Sequence, residues 1–377
     1  MRRRIVYVSG TRADFGLFAR TLGLLRDDPR FELGVYATGM HLSPLFGETV
    51  REIEAQGFDL WLRAPTPVDS GSGVEMAFAL AQALEAFSRG LERDKPDLLL
   101  VLGDRGEMLA GALAAVHLNI PVAHVHGGER SGTVDESIRH AISKLAHIHL
   151  TSTAQARERL IRMGERPDQT HVCGAPGLDE LLARDPLPRA GLFAAEGLDP
   201  ARPTALMVYH PVVQNAEAAG DETALLLESL EARGLQALIL APNSDAGSQN
   251  IRKALERARS NPDWRLATHL PRERYVGWMA AADVMLGNSS SGVIEAASFG
   301  TPVVNVGERQ AGRERNANTL DVPVEREAVG AALDRALKGG RFPLRNVYGD
   351  GQAGGRILEV LAAPLGLPGL LNKLNAY

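Results

Sequence analysis

Apolar runs of four or five residues alternate along this chain with longer stretches in which apolar side chains return every third or fourth position. The first pattern is that of a buried strand, the second that of a helix with one covered face. Ile5–Ser9 and Glu32–Thr38 read as strands, with a helix near Gly16–Arg26 between them. Helices are predicted near Phe46–Gln56 and Val74–Arg93. Leu98–Leu102 is apolar at every position, as a parallel strand covered on both faces must be. A helix through Met108–His117, a strand at Val122–Val125 and a helix over Ile138–Ala146 follow; Ile138, Ile142 and Leu145 share one face. Short strands at Ile148–Thr151 and His171–Cys173 flank a polar helix, Ala154–Met163. Alternating βαβ units predict a doubly wound parallel sheet with right-handed crossovers.

The pattern breaks at residues 183–203, where four prolines and two glycines stand between two patterned regions. This stretch reads as a linker between domains. A second βα series begins beyond it, with strands at Leu206–Tyr209, Ala237–Leu240, Val284–Leu286 and Val303–Val306. Its helices are predicted at Thr223–Arg233, Ile251–Ser260, Tyr275–Ala281 and Val293–Ser298, and Gly355–Leu361 reads as a closing helix. The expected organisation is therefore two Rossmann-like α/β domains, residues 1–185 and 200–355. A tail, 356–377, is expected to pack back on the first domain.

A length of 377 residues suits two cores better than one. A net charge of −5 argues against nucleic acid or an anionic membrane as the main partner, so an anionic ligand must be held locally. The one cysteine, Cys173, excludes a disulfide scaffold and a Cys-rich metal site. The opening MRRRIVYVSG is too short for a signal-peptide core, and no apolar run approaches the roughly 20 residues of a membrane helix, so a cytoplasmic location is expected.

The chemistry gathers in residues 103–147. Leu98–Leu102 ends in Gly103-Asp104-Arg105, and Val122–Val125 ends in His126-Gly127-Gly128-Glu129. Ligands of open α/β sheets sit outside the carboxyl ends of strands, so acids and bases placed there point to proton transfer on a small molecule. Asp104, Glu129 and Asp135 are the candidate carboxylates. Asp104 also reads as a helix N-cap and Asp135 as a first-turn acid matching the helix dipole. His124 and His126, two apart on one strand, would face the same way, a weak metal signal. Lys144 reads as part of a solvated face.

Neither half holds a G-x-G-x-x-G or a G-x-x-x-x-G-K-[ST] loop, which disfavours NAD and P-loop ATP chemistry. Instead Gly287-Asn288-Ser289-Ser290-Ser291-Gly292 joins a strand to a helix, which aims free backbone N–H groups at an anion, with Glu295 read on the first turn. Arg12 and Arg309 each lie just past a strand and suit bidentate phosphate contact; Arg313, Arg315 and Asn316 rank below them. His210 and Asn243 close two more strands.

Three separated segments, GTRADFGL, GDRGEMLAGA with HVHGGERSGTVDESIRHAISKLAH, and GNSSSGVIEAASFGTPVVNVGERQAGRE, resemble the hydrolysing UDP-N-acetylglucosamine 2-epimerases, over roughly Arg4 to Val360. The resemblance implies the glycosyltransferase-B architecture, two such domains facing across a cleft. It implies that UDP-GlcNAc and water give ManNAc and UDP by elimination to a 2-acetamidoglucal and its hydration, with no cofactor or metal. Asp104 and Asp135 match the family's catalytic carboxylates. Ser289 and Ser290 match serines on the diphosphate, Glu295 a ribose ligand, and Arg12, Arg309, His210 and Asn243 positions near the nucleotide. The uracil edge falls near Arg272–Tyr275. His126 stands where many relatives carry Glu, so either His126 or Glu129 is expected to take that acid/base role. A homodimer or homotetramer is implied.

The sugar stays open between UDP-GlcNAc, UDP-2,4-diacetamido-2,4,6-trideoxyglucose and a GDP-linked form, with discrimination expected around Met40-His41 and residues 70–74. A non-hydrolysing epimerase, a glycosyltransferase of the same fold and a nucleotide-sugar sensor are the competing activities.

Overall fold

The computed structural model describes residues 2–68, 72–131, 134–183, 185–243, 245–365 and 369–377. Ser70 and Gly71 of the expected discrimination segment and Arg184 of the expected linker lie outside them. Two parallel sheets carry the chain. The first is built from β1 (Arg3–Ser9), β2 (Phe31–Thr38), β3 (Leu60–Ala64), β4 (Leu98–Leu102), β5 (Val122–Val125), β6 (Ile148–Thr151) and β7 (Thr170–Val172), in the order β3-β2-β1-β4-β5-β6-β7. The second is built from β8 (Thr204–Val208), β9 (Gln236–Leu240), β10 (Trp264–Ala267), β11 (Val284–Gly287), β12 (Val303–Val306) and β13 (Thr319–Val322), in the order β10-β9-β8-β11-β12-β13.

The central strands match the sequence reading because they are buried throughout: β4, β5, β8 and β11 have no exposed residue. The edge strands β3, β10 and β13 were not predicted. Their residues are mostly half-buried, and LWLRA, WRLA and TLDV lack the continuous apolar run that marks a covered strand. The helix Arg326–Gly339 that closes the second domain was missed with them.

The expected linker is corrected. Pro188 precedes a helix, Arg189–Glu196, and Gly197 ends it in the left-handed region at φ +63°. Proline before a helix and glycine after it are helix punctuation, so the breakers bracket an element instead of marking its absence. Leu192 and Phe193 are buried in it, and Phe193 stacks on Trp278 at 4.7 Å between ring centroids, within the second domain.

The chain returns to the first domain through the helix Ala353–Ala362. Asp179 accepts its Ala353 and Gly354 backbone N–H groups at 2.9 and 2.6 Å, and Ile357 and Leu361 join the core beneath the Arg12–Asp27 helix. Beyond it, Lys373 lies 2.6 Å from Glu165, which Lys144 also reaches at 2.7 Å. Lys144 stays exposed, as the solvated-face reading expected, and also bonds Asn375 of the tail at 2.8 Å. No helix among the described residues is long and apolar enough to cross a membrane.

In both sheets the chain winds outward in opposite directions from one central pair, β1/β4 and β8/β11. A crevice opens at each such switch point, outside the carboxyl ends of the strands. Gly10 and Gly103 stand at the first, Tyr209 and Asn288 at the second. The two domains meet along these edges, so the switch points share one cleft.

Candidate active site

The cleft holds about 770 Å³ of open space and is lined from both domains. Asp104, Arg105, Glu107 and Asp135 face it from the first, Asp245 and Arg309 from the second. Asp104 is not a helix N-cap: that place belongs to Arg105, with no side-chain bond. Asp104 instead accepts from Arg139 Nη2, whose side chain is 1% exposed and also donates to the Glu129 carbonyl and Ser131 Oγ. Asp135 does sit on the first turn of its helix, Val134–Leu145, and also lines the cleft, 3.5 Å from Arg309 Nη2. The two family-matched carboxylates thus share one cavity. Asp245, which sequence reasoning missed, lies 3.6 Å from Arg105. Burial pushes its carboxyl up; Arg105 opposes this and Asp135 adds to it. Its signal was available, since it follows β9 by a few residues, as Asn243 does.

Glu129 and His126 do not line this cavity among the described residues. His126 lies beyond the last residue of β5 with φ +65°, a left-handed conformation that few non-glycine residues adopt. It therefore does not share a strand face with His124, which correctly belongs to the fold: His124 bonds Gly103 O at 2.7 Å and Ser143 Oγ at 3.1 Å. Among the described residues no group of three metal-type side chains stands together. His126 Nδ1 lies 2.5 Å from Glu129 Oε1, Ser152 Oγ donates to the same oxygen at 2.6 Å, and Arg313 from the second domain ion-pairs Oε2. Burial alone would raise the Glu129 carboxyl, but Arg313, His126 and Ser152 hold it far below the ordinary range. A carboxylate saturated in this way is held in its charged form by its neighbours. It orients His126 and clasps the domains.

The second switch point is filled by Asn288, which exchanges two bonds of 2.8 Å with the His210 backbone. His210 Nδ1 accepts the Asn243 N–H at 3.2 Å, so the neutral ring carries its proton on Nε2. Burial, then Arg309 and Arg105, push its pKa well down, and it stays a neutral donor. Arg309 and Gln310 both reach the Asn288 carbonyl, at 3.2 and 3.0 Å. Ser289 caps the short helix Ser290–Ile294 without a side-chain cap bond; its hydroxyl meets Ser291 Oγ at 2.9 Å, and Tyr275 bonds Ser291. Ser289 and Ser290 stay half-buried and are not among the residues lining the cavity.

Glu295 is not on the first turn of that helix, as the sequence suggested. The helix is five residues long, and Glu295 follows it. It lies buried 2.7 Å from Arg272; burial pushes its carboxyl up and Arg272 pulls it down. Arg12 opens the first helix and pairs with Glu52 at 2.6 Å, on the side facing His269 of the second domain. Of the lower-ranked residues, Arg315 pairs with Asp321 and Asn316 bonds Val293 O, both within the second domain. His41 is buried between Ser9 and Thr49, at 2.9 Å from each, and does not reach the cavity.

Gly287 opens the serine turn at φ +135°, and a Cβ there would stand 2.0 Å from the Val208 carbonyl oxygen. Gly287→Ala is expected to destabilise the protein by more than about 3 kcal/mol. A thermal unfolding midpoint equal to that of the wild type would show that β8 and β11 can separate at this point.

A family model described as UDP-N-acetylglucosamine 2-epimerase matches residues 24–362. The chain is 45% identical, over all of both chains, to a UDP-N,N'-diacetylbacillosamine 2-epimerase (hydrolyzing) of Legionella pneumophila. It is 32% identical, over 93% of this chain and 91% of the other, to a UDP-N-acetylglucosamine 2-epimerase of Neisseria meningitidis. The crystal structure of a Neisseria meningitidis UDP-GlcNAc 2-epimerase bound to UDP-GlcNAc superposes with a TM-score of 0.79 at 20% identity, covering 95% of this chain and 99% of that one. With this match in length, motifs and two-domain fold, the chain belongs to the UDP-N-acetylglucosamine 2-epimerase family.

Proposed function

We propose that this protein is a hydrolysing 2-epimerase that converts UDP-2,4-diacetamido-2,4,6-trideoxyglucose and water into UDP and the free sugar inverted at C2. What carries the reaction is one observation: Asp104 and Asp135 line the same cavity as Arg105 and Arg309. One carboxylate takes the C2 proton while the C1–O bond to the diphosphate breaks, and that bond's electron pair leaves with UDP. Arg309, the His210 Nε2–H and the backbone N–H groups of the serine turn meet the charge on the leaving diphosphate. Glu295 holds the ribose, with Arg12 and Asn243 completing the nucleotide side. Water then adds its hydroxyl to C1 as its other proton passes to the second carboxylate, which delivers a proton to C2 from the opposite face, and the first carboxylate returns the proton it took to the solvent. Two carboxylates with different neighbours are enough for both steps.

The diacetamido sugar is favoured over UDP-GlcNAc by the relatives. Identity is 45% to the one named for diacetylbacillosamine, the same sugar, and 32% to the one named for UDP-GlcNAc. Incubated with each nucleotide sugar, the protein is expected to release free UDP from both, with kcat/KM at least about tenfold higher for the diacetamido sugar. In D2O the product should carry deuterium at C2. Recovery of an intact UDP-linked epimer would point to the non-hydrolysing reaction, and an equal or reversed preference would return UDP-GlcNAc as the substrate.

A further inference from the structure

The helix Val134–Leu145 links the cleft to the opposite edge of the first domain. Its first turn carries Asp135 into the cavity, and its buried Arg139 holds Asp104. Its other end lies about 16 Å away, at 1.5 Å per residue, where Ala146 leads toward β6. The last carbonyls of a helix have no partner inside it. Here a side chain from far along the chain takes them: Lys373 Nζ donates to Ser143 O at 2.9 Å and to Ala146 O. The same ammonium lies 2.6 Å from Glu165, whose side chain is 2% exposed and also meets Lys144 and His149. A positive charge at this end complements the helix dipole as well.

Three more contacts seat the segment that carries Lys373. Leu370 joins the core, Asn375 accepts from Lys144 at 2.8 Å, and Ala376 donates its N–H to Gly164 O at 2.9 Å. These bonds are directional, whereas the apolar packing of the helix is not. Ile142 shares a core with the helix Gly106–His117, a contact that fixes spacing but resists sliding along the axis only weakly.

We infer that Lys373 is a positioning residue for the reaction: it fixes the Val134–Leu145 helix along its axis and thereby sets where Asp135 and the Arg139–Asp104 pair stand in the cleft. Misplacing a reacting group by about 1 Å can cost about 100-fold in rate, so a fastening at the far end of the helix acts on kcat. In the reaction proposed above, on which this inference rests, the nucleotide is held mainly from the second domain. Its binding therefore does not depend on Lys373.

The test measures kcat and KM for UDP release, and inhibition by added UDP, in the wild type, Lys373→Met and Lys373→Arg. Lys373→Met is expected to lower kcat by about 10- to 100-fold while KM and UDP inhibition stay within about twofold. Lys373→Arg keeps the charge and several donors, and the open pocket of about 300 Å³ beside Lys373 has room for the guanidinium, so kcat should return to within about threefold of the wild type. Glu165 keeps Lys144 and His149 in the Met variant, which limits the loss of fold. If Lys373→Met still melts below the assay temperature, Lys144→Met is read in its place; Lys144 is exposed on the same helix end, and kcat should fall by at least about threefold at constant KM. An unchanged kcat in the variant read, a loss that Lys373→Arg does not rescue, or kcat, KM and UDP inhibition worsening together overturns the positioning role and leaves a purely structural one. If the wild type releases UDP from neither nucleotide sugar, the proposed reaction fails first and the positioning role falls with it.

Discussion

Asp135→Asn is expected to lower kcat/KM for UDP release by about 10²- to 10⁴-fold, the usual loss on removing a positioned acid or base. The thermal unfolding midpoint should barely move. Asn keeps the shape and one acceptor oxygen of the carboxyl, and the Asp135–Arg309 pair spans 3.5 Å across the domain boundary. Asp104, the other candidate, is a less clean probe. Its partner Arg139 is 1% exposed, so neutralising Asp104 leaves a buried guanidinium short of its counter-charge. Breaking a buried pair of this kind costs about 3–5 kcal/mol, which would mix loss of fold with loss of chemistry. Measuring UDP release and unfolding on both variants separates the two roles. A loss below tenfold in Asp135→Asn would remove Asp135 from the proton-transfer pair.

Arg313→Met should destabilise the folded protein by about 3–5 kcal/mol, because Glu129 would stay buried with only His126 and Ser152 for company. The effect has a pH signature. In the wild type the Glu129 carboxyl titrates below its unfolded value of about 4.3. Its pairing therefore contributes full stability above that pH and loses it as the pH falls toward the folded value. Without Arg313, burial drives the Glu129 carboxyl upward, so the acid limb of the stability profile should move to higher pH. Unfolding midpoints of the two proteins from pH 4 to 8 test this. Parallel profiles would show that Glu129 does not depend on the pairing.

The same interdomain pair marks how far a linear reading goes. HVHGGE supplies a histidine and a glutamate three residues apart, and by type either could move a proton. The surroundings of both include Arg313, 184 residues downstream, which pairs with Glu129 and is invisible to any local pattern. Asp104 posed the same problem in milder form. Its N-cap reading was sound for an isolated turn, but Arg105 takes that place and Arg139 takes the carboxylate.

Periodicity alone determined the two-domain α/β class, and motif placement marked Asp104, Ser289 and Arg309 at strand ends and Asp135 at a helix start, because a parallel strand's burial and its functional end are both written in consecutive residues. The edge strands, the helix hidden in the proline-rich segment and the joint lining of the cleft by both domains were decided only in three dimensions. Half-covered strands lose the apolar signal, and a helix bracketed by breakers looks like a linker until its Phe193 is seen against Trp278. The cavity's polar lining joins residues from both domains, so its charge balance exists only once β1/β4 and β8/β11 face each other.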